Sequence, residues 1–257
     1  MPPLSEATRT LLWNISHIWI MYALFGIALV IFAWGLYKRI DFWRKGKSDG
    51  ERLSDWGRRL KVMLAEVFLQ KRVRNSRYPG IMHVLVFYSF IVLIVTTIVV
   101  MIQYDANKLF GLNLTVYKGF VYVFLTIASE MAGILILVGL GMAAYRRYIM
   151  KPETVPVTRE DGGVLLLIAA IVVTGFLVEG ARIAVDDDPW KALSFVGWGV
   201  SILFPAMTES AGSAVHASLW WLHTFLAMGW IAIIPYTKFF HMLSLPTNAF
   251  FSKLRPR

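Results

Sequence analysis

The sequence predicts an all-α integral membrane protein, a five-transmembrane-helix bundle with its N-terminus outside and its C-terminus cytoplasmic. Three observations carry this. Of 257 residues, 57% are hydrophobic and only 16% charged, with a mean hydropathy of +0.59; an ordinary soluble domain is about one quarter charged. Five apolar runs are long enough to cross the ~30 Å hydrocarbon core of a bilayer as helices. The basic residues are concentrated in alternate connections between those runs.

The runs lie at about 11–37, 81–103, 120–145, 163–183 and 217–240. The opening decapeptide MPPLSEATRT holds one basic residue, and no small-residue cleavage site follows a short apolar core. The first run is therefore expected to remain as a helix rather than act as a signal peptide. A sixth stretch, Ala192–Ala206, is shorter and interrupted by Gly197, Gly199 and Pro205; it is expected to be re-entrant or interfacial on the outer side. No internal repeat or nucleotide-binding glycine loop is evident, and the chain reads as one domain over 1–257. The inverted repeat and interrupted helices expected of a transporter are not evident.

The net charge of +10 resolves into a pattern once it is mapped. Residues 38–77 carry thirteen Lys and Arg, residues 146–159 four, and the tail from Lys238 four, leaving five elsewhere. With five helices these two groups fall on opposite faces, so the rich face is placed in the cytoplasm of a multi-pass protein of the cell (inner) membrane. The basic excess is thus a topology signal, and nucleic acid is not an expected partner. Within the cytoplasmic loop 38–77, Leu53, Trp56, Leu60, Met63, Leu64, Val67 and Phe68 recur at helical spacing, interleaved with Arg58, Arg59 and Lys61. This is expected to be an amphipathic helix on the membrane surface, serving as a lipid-facing anchor, a docking platform or both. There is no cysteine, so this sequence holds no disulfide, thiolate zinc site or thiolate-ligated iron–sulfur cluster.

An imidazole inside a bilayer is costly, so a ligand or proton role becomes the first hypothesis for each histidine there. His223 and His241 stand eighteen residues apart on the fifth run. That is five turns, which puts both on one face, separated by roughly 27 Å. His83 begins the second run beside the inner His241, and His17 opens the first run at the depth of the outer His223. Two imidazole pairs, His83 with His241 and His17 with His223, describe bis-histidine ligation of two b haems. Gly26, Ala227 and Gly229 could leave room for a macrocycle. Hydrogen bonding between helices by unrelated histidines is the alternative, and a haem-free membrane anchor is the corresponding functional one. His216, seven residues before His223, fits a quinone site or a structural role better than ligation.

Glu130 falls near the centre of the third run, where a carboxylate is costly. It could be a proton relay, the partner of a buried histidine, or a neutral acid hydrogen-bonded to a neighbouring helix. Glu179 and Arg182, three apart, share a helix face and can pair. With Lys118 they are expected around the depth of the outer histidines, where a quinone site or haem propionates would find them.

The C-terminal stretch HASLWWLHTFLAMGWIAIIPYTKFFHMLSLPTNAFF resembles the last helix of the nitrate reductase gamma-subunit-like cytochromes b. RYPGIMHVLVFYSF and TGFLVEGARIA resemble the branch containing the small subunit of membrane heterodisulfide reductase and the cytochrome b subunit of the Dsr membrane complex. The resemblance implies a di-haem b subunit that exchanges electrons between menaquinone and a cytoplasmic heterodisulfide-reductase-like iron–sulfur partner, in sulfur or sulfite metabolism, with further redox subunits alongside. His83, His223 and His241 match family ligand positions. The departure is Leu93, which stands where the nitrate reductase branch has its second ligand on that helix. His17 is therefore expected to complete the outer pair. Many such proteins carry the iron–sulfur part on the same chain; this sequence, ending at Arg257 without cysteine, is expected to use a separate partner.

Overall fold

The computed structural model describes residues 3–46, 54–153, 158–204 and 207–252. Its regular structure is helical, with no strand among the described residues. The α-helices are α1 (Trp19–Arg44), α2 (Trp56–Leu69), α3 (Lys71–Arg74), α4 (Arg77–Phe110), α5 (Gly119–Tyr145), α6 (Arg159–Val185), α7 (Phe195–Ser201), α8 (Glu209–Ile233) and α9 (His241–Phe250). Five of them, α1, α4, α5, α6 and α8, are long and apolar enough to cross a membrane. Their outward faces are apolar too: Phe120, Leu166 and Val30 are each 70% exposed or more.

The helix ends follow from local chemistry. Leu12, Asn14 and His17 have φ of 51°, 57° and 59°, a region foreign to a right-handed helix. The first helix therefore starts at Trp19 rather than near residue 11, and His17 precedes it instead of opening it. α4 runs longer than its apolar stretch and stops at Gly111, whose φ of 64° permits closure by Leu112 N–H to the Ala106 carbonyl and Gly111 N–H to that of Asn107, both 3.2 Å. α6 opens with a capping box between Thr158 and Asp161.

The fifth run is not one straight helix, which corrects the face argument for His223 and His241. α8 ends at Ile233 and two 3₁₀ turns, Ile234–Tyr236 and Lys238–Phe240, intervene before α9. Pro235 lacks the N–H that a continuing helix needs, and Thr237 is extended at φ −121° and ψ −179°. The sixth stretch folds as α7, seated on α6 with Gly197 so close that a Cβ there would lie 2.5 Å from Glu179 Cγ. Its expected break at Pro205 and its end at Ala206 lie outside the described residues, as do residues 47–53 of the basic loop and the basic tail from 253.

Packing runs α4 on α5, α5 on α6, α6 on α8 and α8 on α1, an open ring whose gap lies between α1 and α4. Tyr22 of α1 donates to Asp105 of α4 across the gap, near the end that carries the N-terminal segment. Phe90 of α4 meets Trp230 of α8 edge-on at 5.2 Å. One apolar cluster, around Ile136, Leu140, Ile168, Val172 and Phe239, occupies the half nearer the basic end. The other, around Tyr117, Tyr122, Leu125 and Trp190, fills the N-terminal end. There Gly119, at φ 59°, donates its N–H to the Ala7 carbonyl at 2.7 Å and brings the N-terminal segment over the bundle.

At the basic end α2 is amphipathic as expected and packs on α9, with Trp56 edge-on to Phe250 at 5.3 Å. Arg59 departs from the expected basic face. It is 3% exposed and donates to the carbonyls of Ser54, Phe250 and Ser252 at 2.6, 3.1 and 2.8 Å. A guanidinium at the last carbonyls of α9 satisfies acceptors that the helix cannot.

Candidate functional site

Two groups of polar residues stand at opposite ends of the ring. At the basic end, His83 of α4 and the first residue of α9, His241, lie within electrostatic reach of each other. Each is oriented from outside its own helix. His83 Nδ1 bonds Gln70 Oε1 at 3.1 Å, and its ring stacks on Phe87 at 6.1 Å. Gln70 is placed by a left-handed junction, φ 48°, between α2 and α3, and is buried. His241 Nδ1 donates to the Lys238 carbonyl at 2.6 Å. Neither ring uses Nε2 in any described hydrogen bond. An acceptor on Nδ1–H fixes the tautomer and orientation of an imidazole.

His223 sits half-buried on α8 with Nδ1 3.0 Å from Thr174 Oγ1 of α6. It lies beside Gly175, where a Cβ would make an ordinary contact of 3.4 Å with His223 Cε1. Leu93 is packed against the apolar cluster of the basic half. His17 is exposed, with Nδ1 at 3.1 Å from Ser16 Oγ. α1 and α8 run in parallel, and Gly35 beside Pro235 and Asn14 bonded to Ser213 set their register at an offset of about 200 residues. His17 is thus level with Ala217, roughly 9 Å along the axis from His223; no described contact joins the two. Gly26 and Gly229 both face open space where a Cβ would be, and Ala227 is half-buried.

At the N-terminal end Glu179 and Arg182 pair as their spacing predicts. Arg182 Nε and Nη2 reach Glu179 Oε2 and Oε1 at 3.1 and 2.8 Å. Arg182, 4% exposed, also binds Asp186 at 3.0 Å and Asp188 at 2.7 Å. Glu179 further accepts from Arg9 at 2.8 Å and from Ser194 at 2.8 Å. Burial works against the charge on Arg9, yet Glu179 together with Tyr117 and Tyr122 holds the guanidinium above its ordinary pKa. His216 is 3% exposed, stands within electrostatic reach of Arg182, Glu179 and Arg9, meets Trp13 edge-on at 5.0 Å, and leaves Nδ1 without a partner. Glu130, 6% exposed, accepts from the amides of Val196 and Gly197 of α7 at 2.5 and 3.1 Å. Of the three alternatives for it, the contact made is the one to a neighbouring helix. Lys118 is exposed and makes none of these contacts.

Sequence reasoning missed Arg9, Asp188, Ser194, Gln70 and Thr174. Arg9 was visible only as an outer-side charge, and its partner Glu179 is 170 residues away. Gln70 gave no signal, because a polar residue in a basic loop is ordinary.

Five helices long and apolar enough to cross a membrane, with a buried ion network at one end and the pair His83 and His241 at the other, are the architecture of a multi-pass membrane subunit. The nitrate reductase gamma subunit family profile matches residues 93–255, and the chain belongs to that family. It is 30% identical over 255 residues to the EtfAB:quinone oxidoreductase of Syntrophomonas wolfei subsp. wolfei, covering 95% of this chain and 35% of that protein. It is 26% identical over 229 residues to the probable iron-sulfur-binding oxidoreductase FadF of Bacillus subtilis, covering 88% and 31%. The chain thus spans about a third of the length of these two relatives. Over 254 residues it is 21% identical to one subunit of the dihydromethanophenazine:CoB–CoM heterodisulfide reductase of Methanosarcina thermophila, covering 88% of each. No solved structure matches.

Proposed function

We propose that the chain is a b-type cytochrome subunit that moves electrons between the menaquinone pool and a heterodisulfide-reductase-like iron–sulfur partner. The observation that carries this reading is the pair His83 and His241, two imidazoles from different helices, each held by Nδ1 with Nε2 in no described hydrogen bond. Two imidazoles from different helices are a donor set that would suit a haem iron. A bound haem would supply one-electron chemistry; His83 and His241 would hold it, and Gln70 and the Lys238 carbonyl orient the two rings.

The basic end is assigned to the cytoplasm and the N-terminus to the outside of the cell membrane, on the distribution of Lys and Arg. The α2–α9 surface, with exposed Leu60, Leu64 and Phe68 on α2, is the proposed platform for lipid and for the iron–sulfur partner. At the other end Glu179 and Arg182, with Arg9 and His216, form the proposed quinone site. Glu130 and the exposed Lys118 flank it.

For a second haem, His223 provides one imidazole and His17 is the proposed other, carried on the non-helical segment that precedes α1. A mono-haem subunit is the rival reading. The register that sets His17 level with Ala217, together with Leu93 on α4, favours it. Identity to an EtfAB:quinone oxidoreductase favours EtfAB as the distant electron source over the sulfur or sulfite metabolism of the heterodisulfide branch.

Mixing the purified, oxidised protein in liposomes with a reduced menaquinone analogue tests this reading. The haem absorbance should become reduced, and Glu179→Gln should slow the step without altering the resting spectrum. A haem that stays oxidised under excess quinol overturns the proposal.

A further inference from the structure

We propose that Lys238 is a positioning residue for His241, acting through a clamp at the start of α6. Three residues, Lys238–Phe240, form a single 3₁₀ turn before α9, cut off from α8 by Pro235 and the extended Thr237, so no continuous helix holds them. What fixes residue 238 is α6. Its N–H donates to Glu160 Oε1 at 2.7 Å, and its ammonium donates to Thr158 Oγ1 at 2.9 Å and to Asp161 Oδ1 at 2.5 Å.

Asp161 is itself immobilised. It is 2% exposed, its Oδ2 accepts from the N–H and hydroxyl of Thr158 at 2.9 and 2.8 Å, and Arg147 reaches Oδ1 at 3.0 Å. A buried carboxylate with two cations and a capping box around it has one position. Residue 238 is thereby held at its amide and at the tip of its side chain, and its carbonyl accepts from both the backbone N–H and Nδ1 of His241. The bond from Nδ1 keeps the proton on that nitrogen, leaves Nε2 without one and fixes the ring. The charge pair Lys238–Asp161 thus sets the angle of an imidazole that it does not touch.

This assignment rests on the reading of His241 as an axial haem ligand. The test compares wild type, Lys238→Met, Lys238→Arg, Asp161→Asn and Glu160→Ala, all purified with their haem. Two quantities are read: the low-spin electron paramagnetic resonance signal that disappears in His83→Ala, and the rate at which that haem passes to apomyoglobin. Lys238→Met and Asp161→Asn should shift the g values and release haem about ten-fold faster. Lys238→Arg, which keeps a cation on Asp161, should return both to near wild type. Glu160→Ala alters only an exposed carboxylate, so it accumulates even if the others do not, and it should give a smaller shift in the same direction. Wild-type g values and release rates in these variants overturn the positioning role alone. A wild-type protein without haem overturns the haem reading and this inference with it.

Discussion

Gln70 Oε1 lies 3.1 Å from His83 Nδ1, so a residue of the basic loop orients an imidazole on the first membrane-crossing turns of α4. Gln70→Leu removes that acceptor and should loosen His83. The expected result is haem release about ten-fold faster than in wild type, with Gln70→Glu close to normal. Transfer of haem to apomyoglobin, followed by absorbance, measures it.

Arg182 serves Glu179, Asp186 and Asp188 at once. Arg182→Leu would strand buried carboxylates, a cost of about 3–5 kcal/mol, so the variant should unfold at clearly lower temperature in detergent. Lys118→Ala, at an exposed position outside the network, should melt like wild type. Thermal unfolding followed by circular dichroism separates the two.

Glu130 caps two amides of α7 through one oxygen. Glu130→Gln retains an acceptor and should be nearly neutral for stability. Glu130→Leu leaves two buried N–H groups unpaired and should cost about 2–4 kcal/mol. If Glu130 also relays protons, Glu130→Gln will slow quinol oxidation while melting normally; unchanged turnover in that variant assigns the residue to structure only.

The helices were legible because apolar runs in a chain this hydrophobic leave little choice. The ion pair Glu179–Arg182 was legible because it is local to one helix. What escaped were relationships set by breaks in regular structure. Counting five turns from His223 to His241 failed at Pro235, and placing His17 on the first helix failed at three positive φ values. Arg9 and Gln70 escaped for the same reason: both act from irregular backbone onto residues distant in sequence or on another helix.

The His17 assignment has its own test in the haem count. Two low-spin b haems in wild type, with only the outer one lost in His17→Ala, would support His17 and His223 as a pair. Two haems retained in His17→Ala would remove His17 from the site, and one haem in wild type would establish the mono-haem reading.

The central claim, a b haem between His83 and His241, is tested most directly by one measurement. A reduced-minus-oxidised visible spectrum with a pyridine haemochrome count is taken on purified wild type and His83→Ala. A haem held by these two histidines gives a b-type spectrum in wild type and the loss of one haem per chain in the variant. A featureless wild-type spectrum, or a full haem complement in His83→Ala, would contradict it.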